Sequence, residues 1–284
     1  DVACHDREIM LLLEELIGYC FYRDNRFKKA FFLLGDGSNG KSTFLFLLQK
    51  LLGDANCSNL DLNELNQKFS NAELYGRLAN IGDDISSGYL DDTSIFKKLC
   101  TGERMQIQRK GERPFDFANR AKLLFSANTL PRVKEKTGAT LKRMCIIPFN
   151  ATFDKDAGNF DPNIREKLQT PEVFEYLCNI GIRGLQRLIK NGGFTEPKNS
   201  LQAMDTYELQ ISPVKVFLKE FDEQEQKIVG KSTNEIYFAY KTFCENNGFK
   251  AVTKTLLVQD IKRFTGISTK GGRIEGQWAR IFIK

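Results

Sequence analysis

The sequence predicts an α/β protein with a parallel sheet, followed by a smaller domain that is mainly helical. Four short apolar runs have the length and composition of buried strands, and they occupy residues 30–34, 78–81, 122–126 and 144–148. Helical stretches alternate with these runs, which is typical of βαβ units and a parallel sheet. A glycine-rich loop follows the first run, so we expect a phosphate site at one edge of that sheet.

The first predicted element is a helix from Asp6 to about Tyr22. Asp6 is a preferred N-cap residue, and apolar residues follow at helical spacing, namely Ile9, Leu12, Leu13 and Leu16. We expect three regions along the chain: an N-terminal helical segment over residues 1–26, an α/β core over 27–200 and a C-terminal domain over 201–284. Two glycines, Pro197 and several polar residues within 192–212 predict that this stretch contains a linker.

The loop after the first strand reads GDGSNGKST and has the spacing of a nucleotide-binding P-loop. Its glycines let backbone N–H groups close around phosphate oxygens, and the helix predicted over Thr43–Leu52 directs its positive end at the same anion. Lys41 is expected to reach the β- and γ-phosphates of ATP, and Ser42 to ligate Mg²⁺. The predicted nucleotide-binding residues are Gly35, Asp36, Gly37, Ser38, Asn39, Gly40, Lys41, Ser42 and Thr43.

Two adjacent carboxylates end the second apolar run, in the stretch RLANIGDDIS. Asp83 is predicted to hold Mg²⁺, directly or through water, and Asp84 to orient and activate the attacking water. A surface turn with two acids is the alternative interpretation. The absence of an NKxD base-reading motif argues against a GTPase.

Two further polar residues flank the later apolar runs. Asn128 ends the run in KLLFSANTLPR, where its amide can contact both the γ-phosphate and the lytic water. Arg143 precedes the run in LKRMCIIPF, where a guanidinium could stabilise the transition-state charge at a neighbouring subunit's γ-phosphate. Each signal is weak alone, since a turn asparagine and an arginine before a strand are both ordinary.

The remaining patterns concern a hairpin and the basic end of the chain. Residues 105–117 predict a hairpin with a turn at Lys110-Gly111-Glu112. Beyond residue 213, three helical stripes, a Ser232-x-x-Glu235 capping box and a final ribbon resemble a winged helix. Residues 248–284 hold eight Lys or Arg against two acids and so carry the whole formal net charge of +6. This suggests a polyanionic partner, and a merely solvated basic face is the alternative interpretation.

Composition excludes several classes of protein. The seven cysteines form no CxxC pair and there is one histidine, which argues against a zinc site and a disulfide framework. No signal peptide or bilayer-spanning run is visible, so we expect no membrane association and a reducing, cytoplasmic compartment. The chain begins at Asp1 without methionine, and we interpret it as a fragment of a longer protein.

Taken in order, these motifs resemble the superfamily 3 helicases, which are AAA+ ATPases of viruses, phages and plasmids. The phage/plasmid primase-helicase family, related to the poxvirus primase-helicase, is the most similar group. The matching stretches are GDGSNGKST, NIGDDIS, FKKLCTGERMQIQRKGERPFDF, AKLLFSANTLP, LKRMCIIPF and NEIYFAYKTFCENNGF.

The resemblance implies a hexameric helicase that binds single-stranded and forked DNA, moves 3′→5′ and, through its phage or plasmid relatives, works in a bacterial host. It implies ATP sites between subunits, with Lys41, Asp83, Asp84 and Asn128 from one subunit and the arginine finger Arg143 from the next. The hairpin then maps to the DNA-gripping loop, whose tip residues are Arg109, Lys110 and Arg113. Many relatives have Glu where Asp84 stands, so which acid activates water stays open.

Two other functions remain as alternatives. An origin-binding or loading ATPase would use the winged-helix-like end on duplex DNA, with Lys254, Lys262 and Lys270 as contacts. A metabolite kinase would use the P-loop alone, but it would rarely need a separate basic module. No primase catalytic domain or zinc-binding element lies within residues 1–284, so priming activity would require other residues.

Overall fold

The computed structural model describes residues 2–85, 89–90, 92–133, 138–223, 227–274 and 277–284. These divide into two compact units, Asp1–Met204 and Asp205–Lys284. The helices are α1 (Arg7–Phe21), α2 (Lys41–Leu52), α3 (Ser94–Thr101), α4 (Ile164–Lys167), α5 (Pro171–Asn191), α6 (Lys198–Ile211), α7 (Pro213–Glu223), α8 (Thr233–Asn246) and α9 (Lys254–Thr265). The strands are β1 (Ala30–Leu34), β2 (Cys57–Ser58), β3 (Ala79–Gly82), β4 (Tyr89–Leu90), β5 (Arg104–Ile107), β6 (Phe115–Ala118), β7 (Lys122–Ala127), β8 (Arg132–Val133), β9 (Met144–Pro148), β10 (Ser268–Ile274) and β11 (Gln277–Ile283).

A five-stranded sheet in the order β2-β3-β7-β1-β9 forms the centre of the first unit. All its neighbouring strands pair in parallel, with Phe31 opposite both Leu124 of β7 and Cys145 of β9. Its strands are buried on both faces and therefore read as continuous apolar runs. The predicted α/β fold with a parallel sheet is confirmed, and the carboxyl ends of its strands meet at one edge.

Helix α1 packs closely against α5 in the same unit as the sheet. The Asp6 side chain caps α1 by accepting hydrogen bonds from the backbone N–H groups of Glu8 and Ile9. Glycines at the crossing bring the two backbones together: a Cβ added to Gly184 would lie 2.7 Å from the backbone nitrogen of Glu15. The buried Glu15 carboxylate accepts hydrogen bonds from Arg187 Nε at 2.7 Å and from the Thr195 backbone at 2.7 Å.

Replacing Gly184 by alanine is expected to lower the free energy of unfolding of the first unit by about 2–3 kcal/mol, because the added methyl would force α1 and α5 apart. Urea unfolding followed by circular dichroism measures the change. Gly193→Ala is the matched control, since an added Cβ there meets nothing within 4 Å. Equal stability of the two variants would contradict the close backbone approach.

The strands β5 and β6 form the predicted hairpin, with Met105 opposite Phe117 and Ile107 opposite Phe115. The turn passes through Gly111, whose φ of +82° suits glycine. Arg109 at the turn packs its guanidinium 5.7 Å from the ring centroids of Tyr75 and Phe115. The aromatic contacts fix the hairpin against the short helical turn Ser70–Leu74, which precedes Tyr75.

The second unit is built from α7, α8, α9 and the antiparallel ribbon β10–β11. Ser232 is the N-cap of α8, where its hydroxyl accepts a hydrogen bond from the Glu235 backbone, which is one half of the predicted capping box. The apolar core of the unit includes Phe217, Tyr240 and Phe282. These elements match the predicted order of three helices and a ribbon, while the winged-helix assignment itself stays a prediction.

Helix α6 (Lys198–Ile211) occupies most of the stretch 192–212 that is predicted to contain a linker, so the non-helical connection before it is limited to residues 192–197. Pro197 and Pro213 flank this helix rather than interrupt it, so the prolines mark its limits. None of the described helices is both long and apolar enough to cross a membrane.

Candidate functional site

The glycine-rich loop connects the end of β1 to the start of α2 and presents its backbone to one cavity. Gly37 and Gly40 have φ values of +115° and +86°, which favour glycine at both positions. Gly40 is also the N-cap position of α2, so the positive end of this helix faces the loop. A Cβ on Gly35 would lie 2.7 Å from the carbonyl oxygen of Phe149, so this position also requires glycine.

The Lys41 side chain is buried and held inside the loop. Its Nζ donates to the Gly35 carbonyl oxygen at 2.5 Å, to Asn39 Oδ1 at 3.1 Å and to Asn128 Oδ1 at 3.4 Å. Burial lowers the pKa of the ammonium group, and the nearby carboxylates, first among them that of Asp83, oppose this shift. The three oxygen acceptors and the acids thus hold a compact positive charge where a triphosphate would lie.

The two acids lie at the carboxyl end of β3, beside the loop. Asp83 Oδ1 lies 3.5 Å from Ser42 Oγ and accepts a hydrogen bond from Ser126 Oγ. The Asp84 backbone donates to the same Ser126 hydroxyl at 2.9 Å. Asp84 has a φ of +54°, so the chain turns sharply between the two carboxylates and gives them different directions.

This donor set fits a magnesium ion. A serine hydroxyl and carboxylate oxygens are hard oxygen ligands, and Mg²⁺ is usually bound by one or two carboxylates together with phosphate oxygens. Both Asp83 and Asp84 are exposed toward the cavity, which leaves room for phosphate and water ligands. Ser42 and Asp83 are the residues that would hold the ion.

The loop, the acids and the end of β7 enclose a single cavity of about 470 Å³. Its lining residues are Gly37, Ser38, Asn39, Gly40, Lys41, Ser42, Thr43, Asp83, Asp84, Ser126, Asn128 and Arg165. The structure thus brings Asn128 into the same cavity as Lys41 and the two acids. Gly35 contributes its carbonyl oxygen to Lys41, and the exposed Asp36 acts on Lys41 through its charge.

Sequence reasoning missed Ser126 and Arg165. Ser126 is buried and bonded to both acid residues, and its only sequence signal is a hydroxyl within the otherwise apolar run of β7. Arg165 comes from α4, and its guanidinium lies 5.4 Å from the Phe46 ring centroid of α2. No spacing rule connects this short helix to the P-loop, so the sequence alone could not reveal it.

Arg143 is not brought to the cavity of its own chain. It directly precedes β9, whose first residue Met144 pairs with Ala30 at the start of β1, whereas the P-loop follows Leu34 at the other end. Ala30 and Leu34 are four residues apart along the strand, which corresponds to about 13 Å. Arg143 Nη1 donates to the Ala139 carbonyl oxygen at 2.7 Å, and its Nε is buried without a hydrogen-bond partner among the described residues.

The predicted DNA-contacting residues fall into two groups. At the hairpin turn Arg109, Lys110 and Arg113 are all exposed, and Arg109 also packs on aromatic rings and lies 3.8 Å from Glu112. The structure therefore gives Arg109 a packing role that the sequence did not indicate. The second group is in the other unit, where Lys254, Lys262 and Lys270 are exposed and Lys254 Nζ donates to Asn234 Oδ1 at 2.8 Å.

Comparison with known proteins identifies similar viral sequences. Residues 33–143 match the profile of a family of unknown function (DUF5906). The protein named "Putative helicase 121R" of Invertebrate iridescent virus 3 is 26% identical over 159 residues, which are 52% of this chain and 17% of that protein. "Putative helicase L207/L206" of Acanthamoeba polyphaga mimivirus is 26% identical over 158 residues, 53% of this chain and 16% of that protein. The matches thus span about a sixth of each relative's length.

Among solved structures, the apo C-terminal region of NrS-1 has a similar fold. One form superposes with a TM-score of 0.60 at 16% identity, covering 97% of this chain and 74% of that one. Another form superposes with a TM-score of 0.56 at 15% identity, covering 100% of this chain and 73% of that one. The chain is thus similar over about half its length to viral proteins named as helicases, and it shares the fold of the NrS-1 C-terminal region.

Proposed function

We propose that this chain, as a superfamily 3 type primase-helicase relative, is the motor of an ATP-driven DNA helicase. The observation that carries the proposal is the single cavity in which Lys41, Ser42, Asp83, Asp84 and Asn128 meet. These residues come from three separate motifs of the sequence, joined by the carboxyl ends of β1, β3 and β7. A helicase needs such an ATPase site together with a surface that moves DNA.

The residues around the cavity have different roles in ATP hydrolysis. Backbone N–H groups of the P-loop and Lys41 bind the β- and γ-phosphates and stabilise the charge that develops on transfer. Bound Mg²⁺ supplies further neutralisation of phosphate charge. Asp84 orients the attacking water and accepts its proton, while Asn128 positions that water against the γ-phosphate. Ser126 fixes Asp83 and the Asp84 backbone in this arrangement.

The proposed assembly is a ring, a hexamer by resemblance to the family, with 3′→5′ movement on DNA. Arg143 supports the ring because it lies at the amino edge of the sheet, away from the cavity of its own chain. The half-buried Arg143 guanidinium would then act at the cavity of a neighbouring subunit. Each ATP site would combine Lys41 and the acids of one subunit with Arg143 of the next.

The β5–β6 hairpin is the proposed DNA-moving element, with Lys110 as its main phosphate-binding residue. Replacing Lys110 by alanine should reduce DNA-stimulated ATPase and fork unwinding by at least about tenfold while basal ATPase stays unchanged. The affinity of the variant for single-stranded DNA should also depend less on salt. In a plot of log affinity against log salt concentration, the magnitude of the slope should decrease by about 0.7 for each phosphate that the variant no longer neutralises. Strand displacement, ATPase assays and salt titrations measure these effects.

The exposed Lys190 on α5 provides the charge-matched control, and Lys190→Ala should leave all three measurements unchanged. Normal unwinding by the Lys110 variant would show that the hairpin does not move DNA through Lys110. A wild-type protein that hydrolyses ATP but displaces no strand under any condition would contradict the helicase proposal itself.

A second candidate is an initiator ATPase that binds origin duplex DNA and remodels or loads on it without processive unwinding. The basic second unit favours this function, with Lys254, Lys262 and Lys270 exposed on its surface. Footprinting on duplex DNA together with strand-displacement assays separates the two functions. Protection of a duplex segment without displacement of a strand would favour the initiator.

A further inference from the structure

The β10–β11 ribbon carries an aromatic and cationic face beyond the core of the second unit. Phe282 lies opposite Thr269 and is fully buried, which fixes the inner face of the ribbon. Side chains two residues apart on a strand share a face, as do directly opposed residues on the two strands. Trp278 and Arg280 therefore lie on the face of Phe282, farther along the ribbon, together with Arg273, which pairs with Trp278.

The Trp278 indole is held against the ribbon and is still open to solvent. A Cβ added to Gly271 would lie 2.8 Å from Cζ2 and 3.4 Å from Cη2 of Trp278, so the ring lies against the glycine backbone. The side chain nevertheless stays 76% exposed. A large aromatic ring that is restrained on one side and exposed on the other is ready to stack at little entropic cost.

The charges around the ring favour a polyanionic ligand. Arg273 is opposite Trp278, Arg280 is opposite Gly271, and neither arginine has an ion pair among the described residues. Arginines at the cross-strand position and at the next same-face position of an exposed indole suit phosphates spaced along a strand that also presents a base. A protein partner that covered this face would have to supply acids to two arginines around an apolar centre.

We propose that this face of the ribbon binds single-stranded nucleic acid, with Trp278 stacked on an unpaired base and Arg273 and Arg280 on the flanking phosphates. The proposal rests on the proposed function and adds a second strand-binding surface to it, separate from the ATP cavity. An unpaired base is required because the faces of paired bases within a duplex are already stacked. Lys270 lies on the opposite face of the ribbon, since it pairs with Ile281.

Trp278 is the sole tryptophan of the chain, so its fluorescence reports on this face directly. Titrating the full chain with oligo(dT) in the absence of ATP should quench the emission, and added salt should reverse the quenching. Blunt-ended duplex of equal length should quench far less. The same titration with Lys41→Ala protein should be unchanged, because the ATP cavity takes no part. Binding without any change in emission would overturn the proposal.

Variants extend the test to affinity. Trp278→Ala should weaken oligo(dT) binding by about tenfold, within the range expected for one base–aromatic stack. Trp278→Phe should retain most of the affinity, and Arg280→Gln should reduce both affinity and its salt dependence. Phe238→Ala is the matched control, because Phe238 is 74% exposed on α8 of the same unit.

Unchanged affinity in the Trp278→Ala variant, or an equal reduction in the control, would refute the stacking role. Strand-displacement and ATPase assays on the same samples keep this inference apart from the helicase proposal. If oligo(dT) quenches the Trp278 emission of a protein that displaces no strand, the ribbon site is supported and the helicase function is rejected. If the protein unwinds DNA but oligo(dT) leaves the Trp278 emission unchanged, the ribbon site is rejected and the helicase function is supported.

Discussion

Alanine at Lys41 is expected to reduce ATP hydrolysis by roughly 10²–10³-fold or more, the effect of removing a preorganised charge from a developing phosphate anion. The Nζ group is held by the Gly35 carbonyl oxygen, Asn39 and Asn128, so it is positioned before any phosphate arrives. A phosphate-release assay at saturating ATP and Mg²⁺ measures the decrease. Fork unwinding should disappear with hydrolysis.

A second variant separates the chemistry from nucleotide binding. Asp84→Asn should retain ATP binding and lose hydrolysis to a similar extent, because the amide cannot accept the proton of the attacking water. Asp156→Asn serves as a control, since Asp156 is exposed and does not line the cavity. Hydrolysis by Lys41→Ala within twofold of the wild-type rate would show that this cavity is not the ATPase site.

Much of the α/β core could be predicted because buried parallel strands are apolar along their whole length. The runs 30–34 and 144–148 coincide with β1 and β9, and the ends of β3 and β7 differ from prediction by one residue. Parallel pairing then places all carboxyl ends at one edge, so the residues after β1, β3 and β7 had to meet. The positions of Lys41, Asp83 and Asn128 follow from this rule.

The features that were missed depend on contacts between distant parts of the chain. The packing of α1 on α5 depends on Gly18 and Gly184, which are far apart in sequence and have no local signal of close approach. Arg109 reads as a free cation at a turn, but Tyr75 from another segment provides a ring beneath it. Ser126 acquires its role only when β7 pairs with β3 and its hydroxyl reaches the acids.

Replacing Arg143 by alanine should lower the ATPase rate of the assembled protein by about 10³-fold or more, the lower part of the range for an arginine finger. Binding of ATP should change little, because Arg143 does not line the cavity of its own chain. The same decrease would also follow if Arg143 merely supported the fold, since Nη1 bonds to the Ala139 carbonyl oxygen. Measuring the single variant therefore does not distinguish the two roles, and subunit mixing does.

Mixing Lys41→Ala subunits with Arg143→Ala subunits should restore ATP hydrolysis from two inactive proteins. A ring that contains both has interfaces at which an Arg143→Ala subunit offers an intact P-loop and its Lys41→Ala neighbour offers an intact Arg143. Mixing Lys41→Ala with Asp84→Asn should restore nothing, because Lys41 and Asp84 line one cavity and no interface regains both. Recovery in the first mixture alone requires an active site shared between subunits. If size and mass measurements demonstrate mixed assemblies but the first mixture does not recover ATP hydrolysis, Arg143 takes no part in the reaction. Its role would then be the structural hydrogen bond at the amino edge of the sheet.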